Sequence, residues 1–298
     1  MKEEMICDNC GSGSARTVYL AAKKPDDGYR PYAISDDRPK KPDEIVKCLD
    51  CGLVFVPGHR IDNSLFKDYE DSVDEGYIKE EKGRRRSANI LLDRIGVFSV
   101  KGRMLEIGCA NGFFLDEARK RGWDVVGIEP SRWARAYAEQ KIGIRVLSAT
   151  LDGLDFEKER FDVIVMLDVI EHMESPRKVL TMINRALKKD GLLVVTTPDV
   201  ESVLGKVLRA RWWGINRYHL FYFSRPTLEN LFNRTGFEPV SYRSHARVFS
   251  CNYWFNRISA YSPFLEAASK LFLSIRGLRK QNLKISLYDQ IEVYARKI

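Results

Sequence analysis

Two cysteine pairs near the start of the chain have the residue types and spacing of a metal site. They read Cys7-Asp-Asn-Cys10-Gly and Cys48-Leu-Asp-Cys51-Gly. The glycine after each pair permits a turn with positive φ, and such a turn directs two thiolates at one ion. Four thiolates form the closed tetrahedral site of structural zinc, so we predict that Cys7, Cys10, Cys48 and Cys51 bind Zn²⁺. The alternatives are disulfides, which the expected cytosolic location disfavours, and a redox pair, which would open a helix.

A glycine-rich loop in the middle of the chain has the composition of a nucleotide-binding turn. It reads Glu106-Ile-Gly108-Cys109-Ala110-Asn-Gly112, and Glu129 follows. An acid about 20 residues after such a loop is placed by a βαβ unit to accept hydrogen bonds from ribose hydroxyls. A glycine loop alone also fits NAD or FAD binding. Here the G-x-x-x-G spacing differs from the G-x-G-x-x-G of dinucleotide-binding proteins.

Alternating strands and helices must position these residues. Apolar runs predict strands at Arg103–Gly108, Trp123–Ile128, Ile144–Ser148, Phe161–Leu167, Leu192–Pro198 and Ser286–Arg296. Helical spacing follows Phe113 and recurs over residues 79–95, 180–187 and 225–235. The alternation predicts an α/β fold, a Rossmann-like sheet with helices on both faces.

The loop and the segments after it resemble the motifs of class I S-adenosylmethionine-dependent methyltransferases. The first motif of that family is commonly written E/D-x-G-x-G-x-G, and Cys109-Ala110 departs from it at the central glycine. The block Asp168-Val-Ile-Glu-His172-Met resembles the fourth motif of the small-molecule members. The resemblance implies S-adenosylmethionine as cofactor and assigns contacts with it to Glu106, Gly108, Cys109, Ala110, Gly112, Glu129, Pro130, Thr150, Leu151, Asp168 and Tyr77.

Individual residues of this set have alternative interpretations. The resemblance places Glu106 near the methionine end of the cofactor, Thr150 and Leu151 at the adenine, and Tyr77 over the bound molecule. Cys109 also fits a small packing residue, and Asp168 also fits a helix cap. The run Arg84-Arg-Arg86 fits an exposed charged surface better than an anion site.

Two histidines are candidates for a general base. His172 lies in the fourth-motif block, and His219 lies in the aromatic segment from Trp212 to Ser224. Imidazole titrates in the range that proton transfer from a hydroxyl or an acidic carbon requires. In the resembling family this segment commonly covers the substrate pocket, and ordinary core packing is the alternative.

The excess of positive charge lies in the C-terminal third. Residues 201–298 contain 16 Lys and Arg against 6 Asp and Glu, whereas residues 1–70 contain 11 against 13. The acidic N-terminal segment makes nucleic acid an unexpected partner. Apolar residues of the stretch 252–280 recur at helical spacing with basic neighbours. We expect this stretch to contact its own domain, a membrane surface or a second subunit.

These patterns together predict the organisation and activity of the chain. We expect a zinc-ribbon module at 1–62, a helical linker and cofactor lid at 63–102, and a methyltransferase domain at 103–298 with a helical insertion at about 251–283, just before the last strand. The sequence pattern predicts neither a signal peptide nor an apolar membrane span, so we expect a cytoplasmic protein, with peripheral contact at the inner membrane face through 252–280 as an alternative.

The resemblance extends to bacterial methyltransferases of sugar, polysaccharide or natural-product modification. It implies O-methylation of a glycosyl or small-molecule acceptor first, and C-methylation of a nucleotide-linked sugar next. Methylation of a ribosomal-RNA base and a non-catalytic cofactor-binding scaffold are the alternatives.

Overall fold

The computed structural model describes residues 5–20, 44–58, 69–147, 160–216, 218–259, 269, 271–272, 274 and 277–298. Its strands are β1 Ala15–Tyr19, β2 Ile45–Cys48, β3 Val54–Phe55, β4 Arg103–Ile107, β5 Asp124–Ile128, β6 Val146–Leu147, β7 Phe161–Leu167, β8 Leu187–Pro198, β9 Phe221–Tyr222, β10 Phe237–Ser244, β11 Arg247–Ser250, β12 Asn282–Ile285 and β13 Gln290–Lys297. Its α-helices are α1 Glu75–Lys79, α2 Glu81–Phe98, α3 Phe113–Lys120, α4 Arg132–Tyr137, α5 Pro176–Ala186, α6 Val203–Leu208, α7 Arg225–Arg234 and α8 Cys251–Ser259.

The main sheet has seven strands in the order β10-β13-β8-β7-β4-β5-β6. Strands β4 to β8 are parallel, and β13 runs antiparallel between β8 and β10. Both faces of the sheet are covered. Leu91 of α2 and Leu115 of α3 belong to the apolar cluster on one face, and Leu180 of α5 and Leu231 of α7 belong to the cluster on the other. The predicted Rossmann-like α/β fold is confirmed.

The parallel strands bring their carboxyl ends to one edge of this sheet. Strands β4, β5, β7 and β8 end there, and antiparallel β13 begins there because Gln290 pairs with Pro198. In open α/β sheets ligands bind at this edge, where the loops after the strands converge. The glycine-rich loop, Glu129 and Asp168 all follow directly on one of these strands.

The N-terminal module shares a sheet with the rest of the chain. Its strands are ordered β1-β2-β3-β9, and β9 comes from the segment between α6 and α7. Phe55 of β3 pairs with Phe221 of β9, and their rings stack with centroids 6.4 Å apart. The Asp8 carboxylate accepts hydrogen bonds from the Ser175 hydroxyl at 2.6 Å and the Arg177 amide at 3.0 Å, at the start of α5. Through backbone pairing and packing, the module is therefore joined to the edge of the main sheet at which the parallel strands end, which we call the site edge.

The predicted helical insertion is only partly helical among the residues described. Helix α8 opens it, and β12 crosses its predicted end and pairs with β11. The last strand begins at Gln290 and not at Ser286. The prediction missed β12 because its partner precedes α8, a pairing that local periodicity does not reveal. Trp254 is buried and donates from Nε1 to the Leu283 carbonyl at 3.2 Å. The Trp254 ring also meets Phe249 of β11 edge to face with centroids 5.8 Å apart, so the insertion packs on its own domain at this point.

The outer side of the insertion exposes several apolar residues, namely Ile258, Leu271 and Phe272. Peripheral contact with a membrane or a second subunit stays a prediction. Within the described ranges, no helix combines the length and apolarity needed to cross a bilayer.

Candidate active site

The glycine-rich loop turns sharply from β4 into α3. Gly108 has φ of +73°, Ala110 of +44° and Gly112 of +77°. The amides of Gly108 and Cys109 donate to the Ile128 carbonyl at 2.8 and 3.1 Å, which ties the loop to the end of β5. Ala110 occupies the position of the family's central glycine, and its left-handed backbone explains why glycine is common there. Strain in a non-glycine residue at such a loop is typical of a functional site.

Glu129 is the anchor of this loop. Its carboxylate is fully buried and accepts hydrogen bonds from the Ala110 amide at 2.8 Å, the Ser131 amide at 2.7 Å and the Tyr69 hydroxyl at 2.8 Å. Burial raises the pKa of Glu129, while these donors and Arg135 lower it in part. The carboxylate is therefore fixed by three donors directly after β5, and its contact with a ribose stays a prediction.

Two polar groups beside the loop are buried without hydrogen-bond partners in the described part of the chain. They are Oε2 of Glu106 and Nδ2 of Asn111. Burial, and then the charge of Glu129, raise the pKa of Glu106 well above its usual range. An unsatisfied buried carboxyl oxygen is costly unless a ligand supplies a donor. The ammonium group of S-adenosylmethionine is such a donor for Glu106, and the carboxylate of the same molecule is an acceptor for Asn111 Nδ2, so these residues fit the cofactor.

An aromatic wall lies against the same loop. Tyr77 stacks on Phe113 with ring centroids 6.0 Å apart, and the Arg84 guanidinium lies 3.4 Å above the Tyr77 ring. Arg85 forms ion pairs with Glu81 of its own helix α2 and with Asp116 and Glu117 of α3. The prediction of an exposed charged run is therefore wrong for Arg84 and Arg85, because aromatic and acidic partners cover them.

The remaining predicted cofactor residues are Cys109, Pro130, Thr150 and Leu151. Cys109 is buried and packs against β5 at Gly127, where a Cβ atom would overlap its sulfur, so only its backbone faces the loop interior. Pro130 is half-buried beside Glu129, and its carbonyl accepts from Arg135 at 3.3 Å. Thr150 and Leu151 lie outside the described residues.

Asp168 follows β7 directly and is bonded to two residues of a neighbouring cleft. It has φ of +56°, and its carboxylate accepts from Gln290 Nε2 at 2.9 Å and from Arg247 Nη2 at 2.8 Å. Burial would raise its pKa, but the charge of Arg247 and further neighbours lowers it overall, so the group is ionised. Asp168 is therefore held by residues of this cleft, and no helix-cap bond of its carboxylate is seen among the described residues.

The cleft next to Asp168 is lined by aromatic, basic and polar side chains: Trp213, His245, Arg247, Trp254, Arg257, Ile285, Leu287, Asp289 and Gln290. Of the aromatic segment predicted to cover the substrate, Trp213 lines the cleft, whereas Trp212, Phe221 and Phe223 are core residues. Sequence reasoning missed Arg247 and Gln290. The basic composition of the C-terminal third is a signal for Arg247 only in a general way, and no signal in the sequence marked Gln290.

The two candidate histidines lie together in the structure. Nδ1 of His172 bonds to the carbonyl of Tyr218, 46 residues further along the chain, at 2.8 Å. The rings of His172 and His219 meet edge to face with centroids 4.8 Å apart. Nδ1 of His219 bonds to the Gly214 carbonyl at 2.8 Å. Burial lowers the pKa of both rings, to about 3 for His219, so both are neutral at physiological pH.

Substitution of Gly108 by alanine tests the close packing of the loop. A Cβ atom there would lie 2.6 Å from Cγ2 of Val169, whereas at Gly143, which has the same φ of +73°, the nearest atom lies at 3.6 Å. Both variants carry about 1–2 kcal/mol of backbone strain, and only Gly108→Ala adds overlap. We expect Gly108→Ala to be less stable than Gly143→Ala by about 1–3 kcal/mol in urea unfolding. Equal stabilities would contradict this packing.

Comparison with known proteins agrees with this geometry. A family model described as a methyltransferase domain matches residues 80–242. The ubiquinone biosynthesis O-methyltransferase of Roseobacter denitrificans is 31% identical over 150 residues, covering 46% of this chain and 60% of that protein. The enzyme of that name from Cereibacter sphaeroides is also 31% identical over 150 residues, 46% of this chain and 61% of the relative. The chain thus spans less than two thirds of the length of these two relatives.

Among solved structures, a methyltransferase structure from Bacillus halodurans superposes with a TM-score of 0.50 and 16% identity, covering 70% of this chain and 99% of that one. This similarity concerns the fold alone. The sheet order, glycine loop and buried acid after β5 define an S-adenosylmethionine-dependent methyltransferase of class I. The chain belongs to the methyltransferase-domain family that matches over 80–242.

Proposed function

We propose that the enzyme methylates an oxygen atom of a small acceptor, with glycosyl and other small hydroxyl compounds as the acceptor class. The observation that carries this proposal is the cleft beside Asp168. Arg247 and Gln290 line that cleft and also hold the carboxylate of Asp168, which the motif resemblance assigns to the cofactor side. The name of the two relatives, O-methyltransferase, supports oxygen as the methylated atom.

S-adenosylmethionine, when bound, supplies a methyl group on a positively charged sulfur. This chain's part in the reaction is mainly positioning, which contributes up to about 7–11 kcal/mol in favourable systems. Glu129 holds one end of the cofactor, the glycine-rich loop allows its backbone to approach the cofactor closely, and Glu106 receives the ammonium group. The cleft orients the acceptor, and its aromatic walls exclude water from one side.

The charges of the cleft favour an acceptor that carries a phosphate or carboxylate. Arg257 lies 5.3 Å from the Trp213 ring and 5.8 Å from the Tyr253 ring, which fixes its guanidinium at the cleft wall. Arg257 lines the cleft together with Arg247, so the cleft offers an anionic acceptor a second cation. Arginine suits such groups because its planar donors match their oxygens.

We expect methyl transfer to be found in a panel of sugars, nucleotide-linked sugars and phenolic carboxylates, assayed by mass spectrometry with fragmentation to locate the methyl group. For an anionic acceptor, Arg257→Gln is expected to raise KM by about 10–100-fold with a smaller change in kcat, the effect of one charge-assisted hydrogen bond. Arg234→Gln, at an exposed position at the end of α7, is the charge-matched control. A methyl group on carbon, or transfer to ribosomal RNA alone, would contradict O-methylation of a small acceptor.

We also propose that the four N-terminal cysteines hold a structural Zn²⁺. Sγ of Cys7 lies 3.5 Å from that of Cys51, and Sγ of Cys10 lies 3.6 Å from that of Cys48. Zinc–sulfur bonds of about 2.3 Å place tetrahedral sulfurs about 3.8 Å apart, close to these distances. Gly11 and Gly52 both have φ of +77° and their amides close the two turns onto the Cys7 and Cys48 carbonyls. The donor set and the turns fit zinc, and four protein ligands leave no position for catalysis.

A further inference from the structure

A second cluster of metal-ligating side chains lies at the site edge, apart from the cysteines. Glu171 and His172 belong to the 3-10 turn Ile170–His172 that follows β7, and His219 comes from the segment that leads into β9. One ligand atom from each lies within 4.8 Å of the other two. Small side-chain rotations close such a span around an ion with bonds of about 2.0–2.2 Å. Two imidazoles and one carboxylate are a common ligand set of catalytic zinc and of other divalent transition metals.

Each member of this cluster has its second polar atom already held by a neighbour. Nδ1 of His172 and Nδ1 of His219 both bond to backbone carbonyls at 2.8 Å. A carbonyl oxygen only accepts, so each Nδ1 carries the proton and each Nε2 keeps its lone pair. The Thr197 hydroxyl donates to Oε2 of Glu171 at 3.0 Å. Metal-bound histidines almost always donate their other ring N–H in this way, and metal-bound carboxylates are similarly supported.

The remaining oxygen of the carboxylate is unsatisfied. Glu171 is 1% exposed, and its Oε1 is buried without a hydrogen-bond partner in the ranges that the structure describes. A buried carboxylate oxygen left in this state costs free energy, and a cation or a proton relieves that cost. The unpaired oxygen is an observation independent of the ligand spacing, and it lies on the residue that completes the set.

We propose that Glu171, His172 and His219 bind a divalent transition-metal ion, and that the ion's open positions hold the acceptor oxygen. The second part rests on the proposed O-methylation, and the first part does not. An acceptor hydroxyl bound to the ion loses its proton to solvent more readily than a free one. Its oxygen then forms the bond to the methyl carbon, and the methyl carbon–sulfur bond breaks with its electron pair left on sulfur. The two histidines thereby act as ligands and not as the general base.

Manganese binding to zinc-loaded protein tests the metal site without an acceptor. Mn²⁺ prefers oxygen and nitrogen ligands over thiolates, so it reports the second site while zinc occupies the cysteines. We expect electron paramagnetic resonance of free Mn²⁺ to show one bound ion per chain. Glu171→Gln, which preserves volume, and His219→Gln are expected to weaken binding at least ~10-fold.

The matched control is Glu139→Gln. Glu139 is exposed in the helical segment Ala138–Ile142 and lies outside the cluster, so Mn²⁺ affinity is expected to be unchanged in this variant. Absence of the second ion from folded wild-type protein would overturn the metal site, whatever the variants do. Unchanged affinity in both cluster variants would also overturn it and indicate a protonated Glu171 that donates to an imidazole.

Methyl transfer measured against Mn²⁺ occupancy separates the two parts of the proposal. We expect the rate to rise with occupancy in wild-type protein and not in Glu171→Gln. A full rate at zero occupancy would overturn the role of the ion in acceptor binding, and it would leave O-methylation itself standing.

Discussion

Replacement of Glu129 by alanine is expected to weaken S-adenosylmethionine binding by at least ~100-fold. Two charge-assisted hydrogen bonds to ribose hydroxyls contribute roughly 1.5–3 kcal/mol each, and about 1.4 kcal/mol corresponds to a factor of ten in affinity. The variant also leaves the amides of Ala110 and Ser131 without their acceptor, and those amides define the end of the glycine-rich loop. Both losses act on the same ligand, so the effect exceeds that of any single contact.

Calorimetric titration of S-adenosylmethionine into wild-type protein and the variant measures this loss. Glu139→Ala is the control, since it removes one carboxylate from an exposed position in the helical segment that follows Glu129. We expect micromolar affinity in wild-type and control protein, with melting temperatures checked for all three. Micromolar binding that survives in Glu129→Ala would contradict the ribose contact. No binding by folded, zinc-loaded wild-type protein would favour a pocket completed only by the acceptor.

The central strands could be predicted from the sequence because each is a short apolar run buried on both sides. Predicted strands at 103–108, 123–128 and 161–167 correspond to β4, β5 and β7 within one or two residues. Parallel strands buried in this way carry a strong local signal. Strands β9 to β12 lack it, since β9 has two residues and β11 pairs with β12 across more than 30 intervening residues. Their existence depends on partners distant in the chain.

The same distinction holds for the candidate site. The glycine-rich loop is contiguous, so its residues could be proposed as a motif, and their roles stay predictions. Arg247 and Gln290 reach Asp168 from elements 79 and 122 residues away, and no local pattern marks them. Glu171 stood inside the predicted motif block without a role. The role that we propose for Glu171 rests on its burial and on its unpaired carboxylate oxygen. Both depend on how the turn after β7 packs against Thr197.

Substitution of Cys48 by serine is expected to release the zinc and loosen both the ribbon and β9. Zinc in four-ligand sites contributes roughly 10–16 kcal/mol to folding in model peptides, far more than so small a module gains from its own core. Val54 and Phe55 of β3 pair with Tyr222 and Phe221 of β9, so the disorder is transmitted to the segment that carries His219. Hydrogen exchange of the β2, β3 and β9 amides is expected to accelerate at least ~100-fold, or about 3 kcal/mol of local stability.

The effect on function follows from which elements the ribbon contacts. The glycine-rich loop and Glu129 follow β4 and β5 of the seven-stranded sheet, whereas β9 belongs to the four-stranded sheet. S-adenosylmethionine affinity is therefore expected to change little. Methyl transfer and Mn²⁺ binding are expected to fall, because His219 loses its supporting strand. Cys251→Ser is the matched control, a buried cysteine outside the four-sulfur cluster. Full zinc content in Cys48→Ser, or unchanged exchange at β9 after zinc loss, would show that the ribbon does not stabilise the acceptor side.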